Sequence, residues 1–229
     1  MIHSAYNDDP ERLALKEWKS AVDALLSGQL PFLMRKGGIH EPANRFLRNA
    51  SRFWLFPTYE HQYEQLDEGK RLLKEPWYSR LRAERKQLRS ADEGERAGLG
   101  VHTPETIALE GWAETLAVFE FWAHSSIESI LEFGIWTLSF AEARFRWKPR
   151  EPLAVFHLQT HRLMEPLRLS ADTAPKRCYS WFESPFRIDD FESEKAVCER
   201  SGEFARRCAE LAASSEEKEA RQIGRVQIA

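Results

Sequence analysis

Leu15, Trp18, Val22, Leu25 and Leu26 recur at helical spacing, and this period predicts a first helix running from Asp9 to Gly28. Asp9 suits the N-cap, Pro10 the first helical position, Glu11 the positive helix end and Gly28 the stop. Leu30 to Met34 reads as a short strand. Pro31 places it at a strand start or sheet edge, because proline donates no ladder hydrogen bond. Gly37 and Gly38 force a turn. Phe53 to Phe56 is a second short strand, ended by Pro57 and Thr58. From Tyr59 to about Gln87 the pattern is helical, broken in two by Pro76. Ser90 to Gly100 is polar and glycine-rich, so a mobile insertion is expected near 88–103.

Thr106 to Phe121 predicts one or two strands. Ser125 and Glu128 form a capping box opening a short helix with Ile127, Ile130 and Leu131 inward, and Gly134 closes it. Thr137 caps a further helix through Phe145. Leu153 to Leu163 alternates as a strong strand, and Cys178 to Phe182 as a last short one. Asp190 to Ala213 reads as an amphipathic helix or helix pair. The organisation expected is a single α+β domain over 9–186, a helical extension over 187–213 and a frayed tail over 214–229. Short strands between helices favour a small, curved, partly closed barrel-like sheet with flanking helices and a C-terminal helix.

Several blocks resemble the domain-of-unknown-function 1802 family of uncharacterised bacterial proteins. They are Leu15–Trp18, Leu33–Ile39, Phe53–Gln62, Ile135–Thr137, Arg146–Pro149 with Pro152 and Leu153, and Cys178–Trp181. In this order they span roughly residues 13 to 183. The resemblance implies one soluble domain and carries no established activity. Residues 15 to 39 are also similar to the PUA-like group, which includes ASCH and EVE domains. There a helix ends in glycine and a strand follows with a basic residue beside a pocket, here Arg35. That second likeness implies a PUA-like sheet and binding of RNA or modified bases.

Composition narrows the classes. With 42% hydrophobic and 30% charged residues, the 229-residue chain is neither disordered nor collagenous. The net charge of -3 means that no global basic field marks a nucleic-acid binder. The three cysteines, Cys178, Cys198 and Cys208, form no disulfide framework. The first residues lack a signal-peptide pattern, and no apolar run is long enough to span a bilayer, so a cytoplasmic protein without membrane contact is expected.

Charge distribution changes that picture. Arg35, Lys36, Arg45, Arg48 and Arg52 crowd one window. Arg144, Arg146, Lys148 and Arg150 alternate with Phe145, Trp147 and Pro149. Acids concentrate elsewhere, over Ala108–Glu132 and Glu183–Glu203. Guanidinium groups grip phosphates bidentately, and flat rings stack on bases. Arg35, Lys36, Arg146, Lys148 and Arg150 are therefore the expected phosphate contacts, with Tyr59, His61, Trp147 and Trp181 stacking on or framing a base. The partner is RNA or DNA. The bland alternative makes the arginines a solvated face and Trp147 core.

Other motifs fall away. His157 and His161 stand ~13 Å apart on a strand, too far to chelate one ion. No zinc spacing, nucleophile elbow, phosphate loop or dinucleotide fingerprint is present, so no metal or cofactor is expected. Two alternatives remain. One is a nucleotide-processing enzyme using Glu60, His61 or Glu120. The other is a protein-interaction domain using residues 190–213, with Phe191, Val197, Phe204 and Leu211 as an apolar stripe.

Overall fold

The computed structural model of the protein describes residues 10–36, 51–58, 66, 71–92, 106–122, 124–173, 180–213 and 227–228. Two long strands, β4 (Thr106–Phe121) and β5 (Leu153–Ser170), form its spine as an antiparallel pair. The others are β1 (Leu13–Trp18), β2 (Phe32–Arg35), β3 (Arg52–Thr58), β6 (Trp181–Glu183), β7 (Ser193–Ala196) and β8 (Gln227–Ile228). They make one sheet ordered β2-β5-β4-β3-β1-β6, with β7 also on β5 and β8 on β4. Among the described residues, only β1 and β3 pair in parallel. The architecture is α+β, and the sheet stays open where a partly closed barrel was expected.

Helices α1 (Lys19–Leu26), α2 (Trp77–Asp92), α3 (His124–Leu131), α4 (Leu138–Arg146) and α5 (Ser201–Ala213) accompany the sheet. Side chains alternate between two cores. Leu15, Phe53, Leu55 and Val155 enter the larger one, together with buried residues of α1 to α5. Ala14, Trp54, Phe56, Trp112 and Leu163 enter the smaller one, closed by Phe182 and Ile188. This two-sided burial gives the sheet strands their near-continuous apolar runs.

The first helix is shorter than its period predicts. Pro10–Arg12 makes a single 3-10 turn and Leu13–Trp18 is a strand. Its backbone groups are taken by β3 from Ala14 opposite Trp54 to Trp18 opposite Thr58, and on the other edge by β6. Distant partners outweigh a local pattern that suits either conformation. Helix α1 does end at Gly28, whose φ of +71° is costly for other residues.

Residues 187–213 are not a helical extension. Ser193–Ala196 is an edge strand on β5, and α5 begins only at Ser201. Phe204 and Cys208 of α5 lie within the larger core, with Phe204 stacked on Phe32 at 4.7 Å. The proposed apolar stripe is thereby broken: Phe204 is sealed inside while Val197 is exposed. Of the insertion expected near 88–103, the backbone to Asp92 continues α2, and the rest lies outside the described residues, as does most of the tail. No described helix is long and apolar enough to cross a membrane.

Candidate anion-binding corner

The corner is built where β1, β2 and α4 end together. Gly28 turns the chain out of α1, with Gly28 N–H bonded to Leu25 O at 3.1 Å and Gln29 N–H to Ala24 O at 2.9 Å. Strand β2 then runs along β5 and delivers Arg35 opposite Ala154. Arg35 Nη1 donates to Glu17 Oε2 at 2.9 Å. The other carboxylate oxygen, Oε1, accepts the Trp18 N–H at 2.9 Å. Glu17 is only 7% exposed. A carboxylate so buried stays ionised at acceptable cost only when charge and hydrogen bonds compensate it.

A second guanidinium lies within the field of the same carboxylate. Arg144, on the last turn of α4, lies 5.5 Å over the Trp18 ring and 4.9 Å over Phe140. Burial makes its proton easier to lose, the positive charge of Arg35 adds to this, and Glu17 opposes it. Arg35 thus pairs with Glu17, and Arg144 lies in the field of both against an aromatic wall. Such a cluster has positive charge left over and cation–π contacts to hold it in place.

Lys36 joins the two basic segments. Its ammonium donates to the Phe145 carbonyl at 2.9 Å and sits 5.3 Å from the Phe145 ring centroid. The residue is 3% exposed, and burial lowers its pKa, with Glu151 acting against the shift. It was expected to hold a phosphate. It is instead spent inside the protein as a tether on the end of α4.

Beyond that tether the chain turns sharply outward. Trp147 takes extended dihedrals and Lys148 a φ of +48°, and Glu151 N–H bonds back to Lys148 O at 3.0 Å. This turn displays the other expected contacts. Arg146 has a side chain 73% exposed with Glu142 at 3.9 Å, and Lys148 stands 3.6 Å from Glu151. Arg150 is exposed and Trp147 is 47% exposed. Exposed pairs at these distances are weak, so a competing anion displaces them at little cost.

The remaining expected residues divide. Trp181 does not frame a ligand. It is 4% exposed and meets Phe53 edge-on at 5.1 Å inside the larger core. Tyr59 and His61 lie outside the described residues, as do Arg45 and Arg48. Arg52 is held away from the corner by Glu11 at 3.0 Å and Asp189 at 2.9 Å, over the ring of Trp112. Glu17 went unrecognised as the counter-charge. Its one sequence signal is a carboxylate in phase with Leu13 and Leu15 on a strand.

The sequence profile of DUF1802, a domain of unknown function, matches residues 14–210. The chain belongs to the DUF1802 family. The match reaches past the blocks that carried the resemblance and takes in β7 and most of α5, so the DUF1802 unit includes the C-terminal helix that packs into the core. No curated protein matches this DUF1802 chain. Among solved structures it is similar to a mutant form of ZmASCH from Zymomonas mobilis, at 13% identity and a TM-score of 0.39, covering 80% of this chain and 94% of that one.

Proposed function

We propose that this DUF1802 protein is a nucleic-acid-binding module whose phosphate-binding surface is the corner formed by β2 and the end of α4. The observation that carries the reading is the bond from Lys36 Nζ to Phe145 O. It ties the end of β2, which carries Arg35, to the end of α4, which carries the basic turn, 109 residues away in the chain. Arg35 and Arg144 supply the fixed positive charge at its base. Arg146, Lys148 and Arg150 line the rim, and Trp147 offers a half-exposed ring to a base. Phosphate contacts of this kind position a strand without reading its sequence, so affinity is expected to be salt-dependent and broadly sequence-tolerant.

Fluorescence anisotropy with labelled 18-nucleotide RNA and DNA strands at low salt tests this. Wild type is expected to bind, and R146E/K148E to weaken every sequence by a similar factor. Absence of binding to either nucleic acid, or unchanged affinity in the charge-reversal variant, overturns the reading.

A further inference from the structure

Helix α2 carries a second basic surface that the expected site never used. Its sequence holds Arg80, Arg82, Arg85, Lys86 and Arg89 against Glu84 and Asp92. Trp77, Tyr78 and Leu81 are buried in the larger core, which fixes how the helix is rotated. At 3.6 residues per turn, Arg82 and Lys86 then fall outside the buried face, one turn apart. Both are exposed, and among the described residues neither has an ion-pair partner. Glu84 does not neutralise them. It is half-buried, and burial raises its pKa, with Lys19 opposing the shift and Asp23 adding to it.

Backbone pairing locates α2 relative to the corner. Leu73, just before α2, bridges Trp136, and Thr137 N–H, just before α4, bonds to Leu72 O at 3.0 Å. The two helices therefore start from neighbouring points. At 1.5 Å per residue, Arg82 and Lys86 lie about 8 and 14 Å along α2, and Arg146 about 12 Å along α4. With a spacing of ~10 Å between the helix starts, the basic faces stand no more than roughly 35 Å apart. A stacked strand advances about 3.4 Å per nucleotide, and so covers this span in about ten nucleotides.

We propose that the Arg82–Lys86 face of α2 is a second phosphate-binding surface, joined to the α4 corner through the paired segments that precede the two helices, and that the partner is a nucleic-acid strand lying over both. This rests on the nucleic-acid reading of the corner and adds a minimum length to its ligand. A mononucleotide or very short strand fills the corner alone. A longer strand gains the contacts on α2.

The test compares R82E/K86E with wild type on a pentanucleotide and on an 18-nucleotide strand across a salt series. The pentanucleotide should bind both proteins equally. The longer strand should bind the variant at least tenfold more weakly, with a salt slope flatter by about 1.4, near 0.7 for each lost phosphate contact. If R82E/K86E leaves the 18-nucleotide affinity and slope unchanged while R146E/K148E still weakens it, the α2 surface is refuted and the corner stands. If polyglutamate displaces the long strand as well as unlabelled nucleic acid does, α2 is refuted as a nucleic-acid surface. If neither strand binds wild type, both proposals fall together.

Discussion

The ammonium of Lys36 donates to the carbonyl of Phe145 at 2.9 Å, and this bond ties the end of β2 to the end of α4. Replacing Lys36 with Met removes the donor and leaves a carbonyl beside an apolar chain. That should cost on the order of 1–3 kcal/mol in urea unfolding. Nucleic-acid affinity should fall because the basic turn after α4 loses its anchor, yet the salt slope should not change, since Lys36 touches no phosphate. A slope flattened by about 0.7 would instead make Lys36 a direct contact.

Glu17 pairs with Arg35 and opposes the charge of Arg144. In Glu17→Gln, the two cations lose that opposing charge, and breaking a buried pair of this kind costs about 3 kcal/mol or more. Added tripolyphosphate should raise the thermal midpoint of the variant more than that of wild type, because the anion replaces the lost carboxylate. Equal shifts in the two proteins would contradict a shared charge cluster.

Backbone geometry predicts opposite outcomes at two glycines. A Cβ on Gly28 would lie 2.1 Å from the Val197 carbonyl oxygen, at a φ of +71°. Gly28→Ala should therefore unfold the protein at markedly lower denaturant. A Cβ on Gly202, in the first turn of α5, meets nothing within 4 Å, so Gly202→Ala should be neutral or stabilising by up to ~1 kcal/mol. Equal midpoints for the two variants would contradict the close approach of Val197 to the α1–β2 turn.

Burial depresses the pKa of His157 and of His161. At His161, Glu114 opposes the shift, while Lys195 and Arg52 add to it. His157 Nε2 bonds to Ser201 Oγ at 2.8 Å, and His161 stacks on Trp112 with ring centres 3.7 Å apart. The unfolded chain takes up these protons near the ordinary value of 6.5, while the folded state resists them to lower pH. Stability is therefore complete above 6.5 and declines as pH falls towards the folded values, by at most about 1.4 kcal/mol per pH unit for each histidine. His161→Phe keeps a ring against Trp112 and should reduce the acid-side slope of stability against pH. Parallel profiles for wild type and variant would contradict a buried neutral His161.

Much of this was legible in the sequence where local pattern and tertiary structure agree. Gly28 does end a helix, Leu153–Leu163 does run as a strand, and Lys36 does reach the end of α4. Reading failed where partners far along the chain decide. Leu13–Trp18 carries apolar spacing that suits a helix or a strand, and pairing with β3 and β6 selects the strand. Ser193–Ala196 has no apolar alternation at all, because an edge strand can leave its side chains in water. Lys36 and Trp181 looked like ligand contacts because residue type does not reveal burial. The α2 surface was missed because its arginines were read as part of a longer helix broken at Pro76, rather than against the buried face of Trp77 and Leu81.

The most direct measurement is the salt dependence of pentanucleotide binding by wild type and by R146E/K148E. If the corner engages three to four phosphates, log affinity for wild type should fall with log salt at a slope of about -2 to -3. The variant should bind more weakly, with a slope flattened by about 1.4, near 0.7 for each of the two lost contacts. A wild-type affinity indifferent to salt, or a steep slope that survives charge reversal at Arg146 and Lys148, would contradict the corner as the phosphate site.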